Sequence, residues 1–303
     1  MSRAPDTGWR QHRERSHAWV LRLMVGISRL FGRRVGRVVL YGIAAYFTAF
    51  APTARRASRD YLGRVLGREA SWADGYRHVL SFASTVHDRV FLLGEDSHGL
   101  QIEVQGAEAL QAACAGGQGV LLMGAHLGSF EVLRAMGRER GGMRVAMVMY
   151  EENARKINDA LRAINPAAMQ DIIPLGRVDS MMAVRDRLAE GCLVGMLADR
   201  LLDADGDEGV ALPFLGEHAR FPVGPWRLAM LLRRPVFFMA GLYLGGNRYQ
   251  VRFEPLADFS QVPREHRQAA TAHAMRAYVA MLERLAREAP YNWFNFYDFW
   301  HKQ

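Results

Sequence analysis

Cysteine and lysine are nearly absent from this chain. Two cysteines, Cys114 and Cys192, in 303 residues exclude a disulfide scaffold and a cysteine-based zinc site, and they fit a reducing compartment. Lysine occurs only at Lys156 and Lys302, so arginine carries the positive charge. Several catalytic signatures are also missing: no G-x-S-x-G elbow, no Walker A loop, no H-E-x-x-H and no G-x-G-x-x-G. Their absence removes the usual marks of serine hydrolases, P-loop NTPases, zincins and dinucleotide-binding enzymes. The stretch "DADGDEG" (203–209) imitates a calcium loop through Asp203, Asp205 and Asp207. However, Glu208 stands where that loop needs Gly, and Phe214 where it needs Glu, so an acidic surface loop is expected and no metal or other cofactor.

What is present is a globular composition, half apolar and 23% charged, with no internal repeat and no low-complexity linker. The charge is lopsided. Residues 1–70 hold 14 arginines against four acids, while the whole chain carries +8, so the remainder is slightly acidic. "SHAWVLRLMVGISRLFG" (16–32) reads as an amphipathic helix, with Arg15, Arg22 and Arg29 on one face and Trp19, Leu23, Ile27 and Leu30 on another. An uncharged run, "VVLYGIAAYFTAFAPTA" (38–54), follows between Arg37 and Arg55. It is short of the ~20 apolar residues that usually span a bilayer, and it lacks the cleavage site of a signal peptide. Residues 10–54 are therefore expected to be a helical segment lying on a membrane surface, with a cap over the core and a true span as the alternatives. The interleaving of arginine with apolar runs suits anionic lipid or an acidic carrier protein, and argues against nucleic acid.

From residue 118 onward, strand and helix patterns alternate. Strand candidates are 119–125, 144–150, 171–175, 192–198 and 235–244, with a later, antiparallel one at 249–256. Helix patterns occupy 130–140, 153–164, 180–191 and 263–289, and Gly142 and Gly191 sit where helix C-caps belong. Residues 55–100 look helical. The expectation is an α/β fold: a mixed, largely parallel central sheet flanked by helices, with an N-terminal helical membrane-associating segment. Residues 1–70 form that segment, and 71–303 a single α/β domain.

In open α/β sheets, ligands gather beyond the carboxyl ends of the strands. "GAHLGSFEVL" (124–133) lies at such an end, with His126 after the strand and Glu131 in the first turn of the next helix. On one continuous helix, five positions would part the two side chains by about 140°. A turn at Leu127-Gly128-Ser129 removes that obstacle. An ionised Glu131 accepting one ring N–H would then leave the other nitrogen free as a base. A packed or surface histidine is the simpler alternative at this point.

"AHLGSFE" resembles the His-x4-acid box of the lysophospholipid acyltransferase superfamily, in the form used by bacterial lipid A biosynthesis (late) acyltransferases. "LADR" (197–200) and "LPFLGEHARFPVGPWRLAMLLRRPVFF" (212–238) follow in that family's order. The resemblance implies transfer of a fatty acyl group from acyl carrier protein to a hydroxyl of a membrane glycolipid or phospholipid, at the cytoplasmic side of the inner membrane. It implies His126 as general base and Glu131 as its orienting acid. Gly128 and Ser129 would be substrate-binding through backbone N–H groups near the oxyanion. Asp199 and Arg200 would line the same cleft, Arg200 holding a phosphate, with a local ion pair that holds the loop as the alternative; Arg155, Arg162 and Arg177 are further candidates for phosphate binding. The ending "PYNWFNFYDFW" (290–300) departs from the basic-aromatic endings of the lipid A enzymes. It resembles members that act on other glycolipids or aryl polyene pigments, and it is either a packed segment or a lipid-contacting lip. Thioester or ester hydrolysis, acylation of an amine, and a lipid-binding module without catalysis are the remaining alternatives.

Overall fold

The computed structural model describes residues 32–92, 99–139, 144–150, 172–175, 179–201 and 209–300. The helix patterns at 16–32 and 153–164 lie largely or wholly outside them. So do Gly142, most of the acidic loop, and Arg155, Arg162 and Arg177.

Three helices come first: α1 (Gly32–Phe50), α2 (Pro52–Leu66) and α3 (Trp72–Leu92). Pro52 opens α2 where its missing N–H costs nothing, and the chain turns through 94° between α1 and α2. Arg55 Nη1 donates to the carbonyls of Thr48 and Ala49, satisfying the last turn of α1 (3.1 and 2.8 Å).

The α/β part then runs β1 (Gln101–Gln105), α4 (Ala107–Cys114), β2 (Leu121–Gly124), α5 (Glu131–Glu139), β3 (Val145–Tyr150) and β4 (Ile172–Leu175). It continues through α6 (Ser180–Ala189), β5 (Leu193–Leu197), β6 (Gly209–Phe214), β7 (Glu217–Pro222) and α7 (Gly224–Leu232). The last elements are β8 (Pro235–Tyr243), β9 (Arg248–Asp258) and α8 (Arg267–Glu288). Seven strands form one sheet in the order β1-β9-β8-β2-β5-β3-β4. β8, β2, β5, β3 and β4 run parallel, while β9 pairs antiparallel with β8 and β1 parallel with β9. This is the mixed, largely parallel sheet that the alternating patterns predict.

The unbroken apolar run of β2 follows from its place. With β8 on one side and β5 on the other, both of its faces are buried. Leu121 and Met123 point into one core with Tyr61, Val184, Phe238 and Tyr278. Val120 and Leu122 point into the other with Val132, Met136, Phe237 and Val251. Helix α8 reaches the first core through Met275, Tyr278, Val279 and Leu282, a helical stripe. Tyr61, Leu62 and Val65 of α2 belong to that core as well, so part of the arginine-rich N-terminal region is packed into the sheet domain.

Two features depart from the expected elements. β1, "QIEVQ", has no apolar run; it is a half-exposed edge strand held by β9. β6 and β7 form a separate two-stranded hairpin. Its turn residues Leu215 and Gly216 both have positive φ (50° and 90°), as a two-residue hairpin turn requires, and the Leu215 N–H donates to Glu283 (2.7 Å).

Candidate active site

The register of β2 and β5 builds the site. Leu121 pairs with Val194 and Gly124 with Leu197, and both strands end there. Two residues further along each chain, the same offset of 73 sets His126 against Asp199. Asp199 Oδ1 accepts from His126 Nδ1 at 2.9 Å, and Oδ2 accepts the His126 backbone N–H at 3.0 Å and Trp293 Nε1–H at 3.1 Å. The Asp199 side chain is fully buried, whereas 35% of the His126 side chain is accessible. Nε2 of His126 has no partner among the described residues.

The charges follow from this packing. Burial pushes the Asp199 carboxyl up. The charge and hydrogen bond of His126, the charge of Arg200 and the backbone N–H of His126 outweigh that and hold it well below the usual carboxylate range. Burial and the Arg200 charge lower the His126 pKa, Asp199 pulls it back, and the net direction is down. At neutral pH the pair is therefore a neutral imidazole backed by a carboxylate. Nδ1 carries the proton toward Asp199, and Nε2 presents a lone pair at an accessible position.

Glu131 does not reach Nδ1. It begins α5, is buried, and forms an ion pair with Arg89 (3.1 Å), while Ser129 Oγ donates to its Oε2 at 3.2 Å. The expected turn is present, and Gly128 makes it possible. Its φ is +75°, and a Cβ there would lie 2.0 Å from the Gly241 carbonyl oxygen. A Cβ on Gly241 would in turn meet the Ser129 oxygen at 2.2 Å. The backbone N–H groups expected at an oxyanion are engaged elsewhere: Gly128 N–H donates to Asn292 O and Ser129 N–H to Gly241 O, both at 2.8 Å. These amides hold the loop against β8 and the C-terminal segment because the glycine-to-glycine approach brings carbonyls within reach.

Arg200 follows Asp199 beyond the end of β5, close enough for its charge to act on His126. Its Nη2 donates to Phe294 O (2.7 Å) and its guanidinium lies over the Tyr297 ring at 5.0 Å.

The sequence reading did not assign the C-terminal segment to the site. Phe294 N–H donates to His126 O (2.8 Å), Asn292 O accepts from Gly128, and Trp293 braces Asp199. Trp293, Asn295 and Phe299 are wholly buried, so the aromatic ending is a packed segment behind the histidine loop. His78 supports it from below. Its Nε2–H donates to Trp293 O (2.9 Å), its Nδ1 accepts from Ser58 (2.8 Å), and burial lowers its pKa to about 4. The density of aromatic residues after Pro290 was the only sequence signal for this role.

An α/β sheet that sets a neutral imidazole before a buried carboxylate, at the carboxyl ends of two parallel strands, has the parts of an enzyme that moves a proton. The model of the bacterial lipid A biosynthesis acyltransferase family matches residues 9–302, and the chain belongs to that family. It is accordingly an acyltransferase of lipid biosynthesis. Comparison with curated proteins gives no match.

Proposed function

We propose that the chain transfers a fatty acyl group from the thioester of acyl carrier protein to a hydroxyl of a lipid A-type glycolipid, at the cytoplasmic face of the inner membrane. The observation that carries the chemistry is the His126–Asp199 pair with Nε2 accessible. The family supplies the reaction class. Nε2 takes the proton of the acceptor hydroxyl as its oxygen attacks the thioester carbonyl. The tetrahedral centre then collapses, the C–S bond breaks, and the proton on His126 passes to the leaving sulfur. No nucleophilic Ser or Cys is needed, because the donor is already activated. Asp199 holds the tautomer and stabilises the imidazolium as it forms. Glu131, through Arg89, is a positioning residue that fixes the start of α5 and tempers the positive charge beside the base. Arg200, whose charge acts on His126, serves a phosphate of donor or acceptor.

Membrane association rests on α1. No single described helix is long and apolar enough to cross a bilayer, and α1 with α2 qualifies only as a sharply bent pair. Yet α1 is apolar on its outward face too, exposing Val38, Tyr41, Tyr46 and Phe50 opposite the buried Leu40, Ala44 and Thr48. Such a face fits an interfacial helix.

The direct test is acyl transfer by His126→Ala. Turnover should fall by roughly 10²–10⁴-fold, the usual contribution of a general base, with the circular dichroism spectrum unchanged. Near-normal transfer by the folded variant would end the proposal. Lipid mass spectrometry of cells with and without the gene identifies the acceptor: lipid A species should shift by one acyl group. A shift confined to pigment lipids would move the acceptor to that class.

A further inference from the structure

The carboxylate behind the base is shared. Asp199 Oδ1 serves the imidazole, while Oδ2 accepts the His126 backbone N–H (3.0 Å) and the Trp293 indole N–H (3.1 Å). Asp199 is wholly buried, so bulk water does not compete for these bonds. The indole is keyed to the loop that carries the base. Leu127 and Trp293 form an antiparallel bridge, flanked by Gly128 N–H donating to Asn292 O and Phe294 N–H donating to His126 O, both at 2.8 Å. Imidazole, carboxylate and indole thus form one hydrogen-bonded unit drawn from three distant segments.

The indole is also held from behind. Trp293 meets Tyr61, Phe214 and Phe299 edge to face, with ring centres 4.9, 5.2 and 4.9 Å away. Its carbonyl accepts from His78 Nε2 (2.9 Å) and from the Asn295 N–H (2.8 Å), and Ser58 donates to His78 Nδ1 (2.8 Å). Packing alone does not account for an N–H at this place. Trp226 is as deeply buried in the same core, and its Nε1 has no hydrogen-bond partner among the described residues. The core tolerates an idle indole N–H at Trp226 and directs the one at Trp293 onto the carboxylate.

We infer that Trp293 is a positioning residue acting through Asp199: its indole N–H takes up part of the carboxylate charge and keeps His126 a weaker, neutral base. This role deepens the acyl-transfer reading and rests on it. Its sign follows from the geometry. Without the indole N–H, Oδ2 keeps the backbone N–H of His126, so Oδ1 stays on the imidazole and carries more charge. The imidazolium is then favoured. The other groups around the pair stay as they are. Arg200 beyond β5 and Arg89 from α3 both lower the His126 pKa, and Glu131 holds Arg89. The Tyr278 hydroxyl of α8, near Asp199, is kept protonated by burial and donates to Gly124 O.

The test is a nitrogen NMR titration of the His126 imidazole in the full chain, its signal identified by its absence in His126→Ala. In Trp293→Phe the His126 pKa should rise by about half to one pH unit, as expected when a carboxylate loses a charge-assisted hydrogen bond and part of the effect reaches its partner. The acid limb of kcat/KM should move up with it. Benzothienylalanine in place of Trp293 keeps both rings and lacks the N–H. It should give the same rise, and it decides the outcome if Trp293→Phe does not fold. Trp226→Phe removes an N–H that has no partner and should leave the titration in place. A His126 titration that stays put or moves down in the folded Trp293 variants, even with turnover reduced, overturns the inference and leaves Trp293 a packing residue. If the wild-type chain acylates no acceptor but the titration still rises, the acyl-transfer reading fails and the link from Trp293 through Asp199 to His126 stands.

Discussion

The imidazole of His126 is useful because of what lies on either side of it. Asp199 fixes one nitrogen, and accessibility frees the other. Asp199→Asn should therefore lower turnover by about 10²–10⁴-fold, because it removes the charge that stabilises the imidazolium. Glu131→Gln should cost at least about tenfold less, since Glu131 contacts Arg89 and Ser129 instead of the base. Steady-state rates of the two folded variants decide the point, and the reverse order would return the orienting role to Glu131. The pH profile tests the electrostatics. His126 must be neutral to accept a proton, and its pKa lies below the ordinary value, chiefly through burial and then through the Arg200 charge. Activity should therefore rise with pH through a limb set below that value. Arg200→Gln removes a lowering influence, so the acid limb of kcat/KM should move to higher pH. A limb that stays in place, or moves down, would show that Arg200 does not act on the base.

Among the elements, the loop from Ala125 to Phe130 depends on close backbone contact. Gly128 and Gly241 form an isolated parallel bridge, and neither tolerates a Cβ without displacing the other's neighbours. Gly128→Ala meets both a positive φ and a backbone carbonyl. It should destabilise the fold by at least about 1–3 kcal/mol. Thermal unfolding should show a clear fall in Tm, with transfer activity reduced in parallel because His126 rides on the same loop. An unchanged Tm would mean that the strand edge rearranges at little cost. The expectation of a helix over 130–140 with Glu131 in its first turn is met by α5, and Gly191 takes the positive φ (80°) expected of a residue just past a helix. β1 and the β6–β7 hairpin escaped notice for a physical reason. Short, half-exposed strands lack apolar periodicity, and their pairing partners lie far along the chain or across an unusual turn.

For the whole molecule, the question is how it meets its lipid. Arg33 and Arg37 turn inward to Asp88 and lock the helix to the sheet domain, while the outward face of α1 is apolar. Vesicle binding should therefore depend on hydrophobic contact more than on these two charges. Replacing Val38, Tyr46 and Phe50 with Gln should weaken binding to phosphatidylcholine vesicles by roughly tenfold or more, given the free energy of burying even part of such side chains. Tm should hardly change, because all three are exposed. Undiminished co-sedimentation with vesicles would exclude this face as the docking surface.

Local patterning was sufficient for the alternation of strands and helices, the placing of His126 at a strand end, and the arginine-rich N-terminal region. Those properties depend on residues close together in the chain. The box "AHLGSFE" and the order of "LADR" and "FLGEHARFPVGP" after it were likewise legible, and the match to the acyltransferase family over 9–302 agrees with them. Partner choice was not legible. Glu131 is five residues from His126 and Asp199 is 73, yet the parallel register of β2 and β5 brings Asp199 to the imidazole and α5 turns Glu131 toward Arg89. The same holds for Trp293 behind Asp199, Asp88 between two arginines of α1, and the carbonyls that claim the Gly128 and Ser129 amides. Each is a contact between segments whose separation along the chain carries no information about distance, and only the packed sheet and its buried edges decide it.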